Sequence, residues 1–139
     1  MKQIQKYLPL VFLSFVMLFA TQVNGQTEDI DVAKLQEVLS AKDKKENVVL
    51  LDVRTGKEFG EGYIHGAVNY NFLEEGFESN LEKLDKSKAY YVYCFSGGRS
   101  ARAVKKMKGL GFENVHNVTG GIRAWTAAGY DIKGGTVVK

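Results

Sequence analysis

The single cysteine of this 139-residue chain, Cys94, is followed by Phe95, Ser96, Gly97, Gly98, Arg99 and Ser100. A thiol in that company can be an activated nucleophile. Residues 89–94, Ala-Tyr-Tyr-Val-Tyr-Cys, are aromatic and β-branched and read as a buried strand ending at the thiol. A helix is expected to start near Ser100. Gly97 and Gly98 allow backbone conformations closed to other residues, so successive N–H groups can turn inward as a cradle for an anion. The helix start adds its positive dipole end. Arg99 is expected at the rim, with its charge facing the mouth. Cysteines beside cations or at helix N-termini lose their protons readily. The alternative is an inert thiol capping a buried strand, since free cysteines are commonly buried. Two glycines, an arginine and a helix start favour a thiolate in an anion-binding bowl.

The elements that must hold this loop follow from the hydrophobic pattern. Asp31 is a candidate N-cap for a helix carrying Val32, Leu35, Val38 and Leu39 on one face. Residues 26–30 read as a short polar lead. Residues 48–52, Val-Val-Leu-Leu-Asp, form an apolar run of strand length. Residues 58–67 read as glycine-punctuated loop and residues 68–72 as a short strand. Residues 77–85 suggest a helix with Phe77, Leu81 and Leu84 inward. A helix after Ser100 places Ala103, Val104 and Met107 on one face. Residues 114–118 read as a strand and residues 120–129 as a short helix with Trp125 in the core. The tail is expected to add an edge segment. Strands alternating with helices imply βαβ units and a parallel sheet, whose ligands bind beyond the carboxyl ends of the strands.

The N-terminus is of a different character. Lys2 and Lys6 precede an apolar run from Leu8 to Ala20, with small residues near Gly25. That order is the pattern of a secretory signal peptide over residues 1–25. The run is shorter than the roughly 20 residues that span a bilayer, so an uncleaved anchor is the secondary reading. The expectation is an exported protein, periplasmic or secreted, with residues 26–139 forming one domain. The chain carries 19 Lys and Arg against 16 Asp and Glu, and two of those lysines belong to the leader. The remainder is close to neutral and has no basic stripe, which argues against nucleic acid as a partner. His65, His116 and Cys94 give no metal-ligand spacing. Asn117-Val118-Thr119 forms a glycosylation sequon, expected in a strand-to-helix turn.

Three stretches together resemble the single-domain rhodaneses, a sulfurtransferase family. Residues 50–69, LLDVRTGKEFGEGYIHGAVN, resemble its first signature through Asp52, Arg54, Glu58, Phe59, Ile64, Gly66 and Ala67. Residues 93–103 resemble its active-site loop, and residues 117–125, with Gly120, Gly121 and Trp125, its closing motif. Tyr63 and His65 depart from the family pattern, where histidine and proline are common. The resemblance implies a three-layer α/β domain with a central, mostly parallel sheet of about five strands flanked by helices. It implies that Cys94 takes a sulfane sulfur from a small anionic donor such as thiosulfate and passes it to a thiol, to cyanide or to a protein acceptor. No metal or organic cofactor is implied, and a monomer is expected. Asp52 and Arg54 carry over as signature residues, and the residues themselves favour an internal ion pair that holds the strand end.

Two other functions compete. A cysteine phosphatase of the same fold places five residues between cysteine and arginine. Here there are four, Phe95 to Gly98, which suits a smaller reacting centre. A persulfide carrier or sulfur-sensing module shares the motif and differs only in turnover. A thiol oxidoreductase lacks the second cysteine needed to resolve a mixed disulfide.

Overall fold

The computed structural model describes residues 29–41 and 46–134. The expected leader, residues 1–25, lies outside them. In chain order the elements are β1 (Asp29–Ile30), α1 (Val32–Ser40), β2 (Val48–Asp52), α2 (Gly56–Glu61), β3 (Tyr63–Ile64) and β4 (Val68–Asn69). They continue with α3 (Phe77–Leu81), β5 (Ala89–Tyr93), α4 (Gly98–Gly109), β6 (Val115–Val118), α5 (Gly121–Ala127) and β7 (Ile132–Lys133). Five strands form a parallel sheet in the order β1-β6-β5-β2-β4.

Successive side chains of a strand point to opposite faces, and both faces here are apolar. Leu51, Tyr90, Val92 and Val115 meet Phe77, Leu81, Ala103, Val104 and Met107 of α3 and α4. Leu50, Tyr93 and Val118 meet Leu35 of α1 and Ile122 and Trp125 of α5. The result is the expected three-layer domain, a parallel sheet between two helical layers. Asp31 caps α1 as read, its carboxylate accepting from Lys34 N at 2.8 Å.

Several local expectations are corrected. The polar lead contains an edge strand, because β1 pairs in parallel with β6 and Thr119 N donates to Ile30 O at 2.8 Å. Part of the expected loop is helix α2. Thr55 Oγ1 accepts from Glu58 N, and the Glu58 carboxylate accepts from Thr55 N, a capping box that overcomes the cost of Gly56 and Gly60. The strand expected over 68–72 is only β4, after which the chain turns toward α3. Helix α4 begins at Gly98, so Arg99 and Ser100 belong to its first turn. The tail contributes β7, which pairs antiparallel with β3 in a separate two-stranded sheet. Asn117 is not in a turn. It lies buried within β6, with its Oδ1 lacking a partner, so the folded domain offers no glycosylation site there. Tyr63 stacks on Phe59 with centroids 4.1 Å apart, and His65 is exposed.

Candidate active site

Strand β5 carries Cys94 to the carboxyl end of the sheet. Its neighbours Tyr90 and Val92 alternate onto the α4 face, and Cys94 joins the same cluster. The thiol therefore points under the first turn of α4. Gly97 turns the chain with φ of +107°, a conformation that favours glycine. Its N–H donates to Cys94 Sγ at 3.1 Å, and Ser100 Oγ donates to the same sulfur at 3.4 Å. Burial pushes the Cys94 thiol up, since the residue is 2% exposed. The Ser100 hydroxyl and the amides of Ser100, Gly97 and Ser96 outweigh that effect, so its pKa falls below the ordinary thiol value. The bowl is made mostly of backbone.

Helix α5 supplies the reason those N–H groups point inward. Ile122 N donates to Cys94 O at 2.9 Å, and Arg123 N donates to Phe95 O at 3.1 Å. Two orphan amides of the α5 first turn thus hold two carbonyls of the loop away from the sulfur. This close approach requires Gly121, which has φ of +56° and whose Cβ would come within 2.3 Å of Cys94 O. Gly120 and Gly121 had marked a family motif in the sequence; their contact with the Cys94 loop was not foreseen.

Arg99 is placed differently from the expectation. Its guanidinium does not stand alone at the mouth. It makes a two-pronged ion pair with Glu58, Nη1 to Oε2 and Nη2 to Oε1 both at 2.8 Å. Glu58 is held in turn by the amide and hydroxyl of Thr55. The thiol is consequently activated by hydrogen bonds more than by a free cation. Glu58 is the site residue whose role the sequence concealed; the Thr-x-x-Glu capping box was the available signal.

The Arg99 ion pair, with the Thr55 bonds, pulls the Glu58 carboxyl from its ordinary 4.5 down to about 2. A depressed carboxylate stabilises the fold above its unfolded value, and that stability is lost as pH falls through the folded value. Denaturation midpoints should therefore fall between pH 4.5 and about 2. Glu58→Gln should flatten that part of the profile. A variant whose acid limb matches the wild type would show that this pair contributes nothing to acid stability.

Asp52 and Arg54 form the internal ion pair favoured from the sequence. Arg54 Nη2 donates to Asp52 Oδ2 and to Gly62 O, each at 2.6 Å, with both side chains buried. They tie the end of β2 to the end of α2 and do not touch Cys94. Of the remaining loop residues, Phe95, Ser96 and Gly98 are exposed and Ser100 is buried against the sulfur.

With this geometry in view, residues 35–128 match the rhodanese-like domain family. A thiosulfate sulfurtransferase of Shewanella oneidensis, GlpE, is 30% identical over 99 residues, covering 71% of this chain and 92% of that protein. The chloroplastic thiosulfate sulfurtransferase 16 of Arabidopsis thaliana is 33% identical over 93 residues, covering 60% of this chain and 78% of that protein. The crystal structure of a rhodanese-related protein from Thermoplasma volcanium is 31% identical with a TM-score of 0.65, covering 76% of this chain and 97% of that one. Strand order, the loop at Cys94 and these matches agree: the chain belongs to the rhodanese-like domain family.

Proposed function

We propose that the protein is a rhodanese-type sulfurtransferase in which Cys94 carries the sulfur between donor and acceptor. The observation that carries this reading is the sulfur atom of Cys94 receiving an amide at 3.1 Å and a hydroxyl at 3.4 Å inside a bowl of inward N–H groups. Such donors stabilise a thiolate, and they would equally stabilise the anionic outer sulfur of a persulfide. The Cys94 thiolate attacks the outer sulfur of thiosulfate, forming a sulfur–sulfur bond as the bond to the sulfonate sulfur breaks and sulfite leaves. Charge and sulfur oxidation level balance without an external oxidant. The chain's own residues supply nucleophile and anion stabilisation, and nothing in the step needs a metal.

Arg99 acts at the rim of the bowl, held in place by Glu58. Arg99→Ala should reduce turnover of anionic donors on the order of tenfold or more, the scale of a charge-assisted hydrogen bond. It would also leave Glu58 unpaired near an incoming dianion. Equal losses with thiosulfate and with an uncharged persulfide donor would remove Arg99 from donor recognition.

Mass spectrometry after incubation with thiosulfate tests the function. A gain of one sulfur atom at Cys94, discharged by cyanide with repeated turnover, is the expected result. A single equivalent loaded and never turned over would make the protein a carrier; no adduct at all would sink the sulfur-transfer reading. We propose in addition that the protein works outside the cytoplasm after losing residues 1–25. The charged, apolar and small-residue order of that segment supports this, and N-terminal sequencing of the protein from its host checks it.

A further inference from the structure

Two concavities adjoin the Arg99–Glu58 pair, the second through Glu58 alone. One is the Cys94 bowl. The other is an open groove of about 340 Å³ whose lining includes Glu58, Glu61, Phe95, Ile122, Arg123 and Ile132. A larger cavity of about 630 Å³, beside α1 and Trp125, includes no residue of the Cys94 loop and is remote from the chemistry. The smaller groove adjoins the site through two residues. Glu58 lines it and grips Arg99, and Phe95 lines it immediately after the thiol.

Its charges are arranged in an unusual way. The carboxylate of Glu58 is occupied by Arg99, and Arg54 by Asp52. Two charges of the groove are left, Glu61 at the end of α2 and Arg123 in the first turn of α5. Neither forms an ion pair among the described residues. The Arg123 guanidinium sits 5.8 Å from the centre of the Phe95 ring, which is 48% exposed. The groove thus offers one cation, one carboxylate from a different element, and an apolar lining of Phe95, Ile122 and Ile132 between elements.

We infer that this groove binds the sulfur acceptor and that the acceptor is a small zwitterionic thiol of the cysteine type. Its carboxylate meets Arg123, its ammonium meets Glu61, and its sulfur is directed past Phe95 toward Cys94. This rests on the sulfurtransferase reading above. The acceptor thiol gives its proton to solvent, and the resulting thiolate attacks the outer sulfur of the Cys94 persulfide. A sulfur–sulfur bond forms in the acceptor while the persulfide bond breaks. Cys94 leaves as a thiolate held by Gly97 N–H and the Ser100 hydroxyl.

Turnover of thiosulfate is measured with four acceptors: cysteine, 3-mercaptopropionate, cysteamine and 2-mercaptoethanol. Each variant is compared with wild type for every acceptor, which cancels differences in intrinsic thiol reactivity. Arg123→Gln should lower kcat/KM about tenfold for the two acceptors bearing a carboxylate, relative to 2-mercaptoethanol, on the scale of one charge-assisted contact. Glu61→Gln should do the same for the two bearing an ammonium. Sulfur loading at Cys94 is followed in the same samples. Loading with unchanged acceptor ratios in both variants overturns the groove assignment alone. Failure of the wild type to load sulfur overturns the proposed function and this inference with it.

Discussion

Replacing Cys94 by serine is expected to eliminate sulfur transfer, by at least about a thousandfold, the scale seen when an enzyme loses its nucleophile. The hydroxyl is nearly the size of the thiol. It would still accept from Gly97 N and Ser100 Oγ, the two donors that now meet the sulfur at 3.1 and 3.4 Å. Those donors lower a thiol's pKa into a useful range, but a serine hydroxyl without an adjacent general base stays protonated near neutrality. Neither histidine of the chain lies in the Cys94 loop: His65 follows β3, and His116 is on β6 with its ring stacked on Tyr91. Stability should change by no more than about 1 kcal/mol, because packing and hydrogen-bond count are preserved. Turnover, sulfur loading and a melting curve on the same preparation separate the two effects. Comparable activity in the serine variant would remove Cys94 from the mechanism.

The largest structural effect is expected from Gly121→Ala. The backbone there has φ of +56°, and an added Cβ would lie 2.3 Å from Cys94 O and 2.6 Å from Phe95 O. A left-handed alanine costs about 1–2 kcal/mol. Separating α5 from the loop would break two hydrogen bonds, Ile122 N to Cys94 O and Arg123 N to Phe95 O, at about 1 kcal/mol each. The sum is about 3–4 kcal/mol, which for a domain near this size lowers Tm by more than about 10 °C. Thiol reactivity should also fall in whatever remains folded, since the loop carbonyls would no longer be drawn away from the sulfur. Alkylation rate at neutral pH reads this directly. Gly98→Ala is the control. Its Cβ meets nothing within 4 Å, and its φ is not in the left-handed region, so it should be nearly neutral. Equal behaviour of the two variants would refute the role given to the α5 contact.

The sequence carried the parts of the fold that depend on local pattern. The strands β2 and β5 announced themselves as continuous apolar runs because both faces of a parallel sheet are covered. Asp31 as N-cap and the inward face of α4 were legible for the same reason, since each is set within one or two turns of chain; the Cys94 loop was legible as a motif, without the α5 contacts that shape it. What was hidden depended on distant partners. Asp29 and Ile30 are too few to show a period, and they are a strand only because β6 lies alongside. Thr119 reaches Ile30 O from 89 residues away. Arg99 and Glu58 are 41 residues apart, so the neutralisation of the loop's cation could not be read from the loop. Gly60 suggested loop where a capping box makes helix, and the Thr55–Glu58 spacing was the cue that should have outweighed it.

The carbonyls of Cys94 and Phe95 are held by amides that come much later in the chain, at Ile122 and Arg123. During synthesis the thiol therefore exists well before the structure that activates it. β5 can pair with β2 as soon as both have emerged. Gly97, however, packs against the backbone of Thr119 and Gly120, so the final shape of the loop needs that turn. Until then the loop carbonyls of Cys94 and Phe95 lack the two amides that hold them. Full activation of the thiol thus waits on α5, so an incomplete chain does not expose a fully activated cysteine to unintended disulfide exchange.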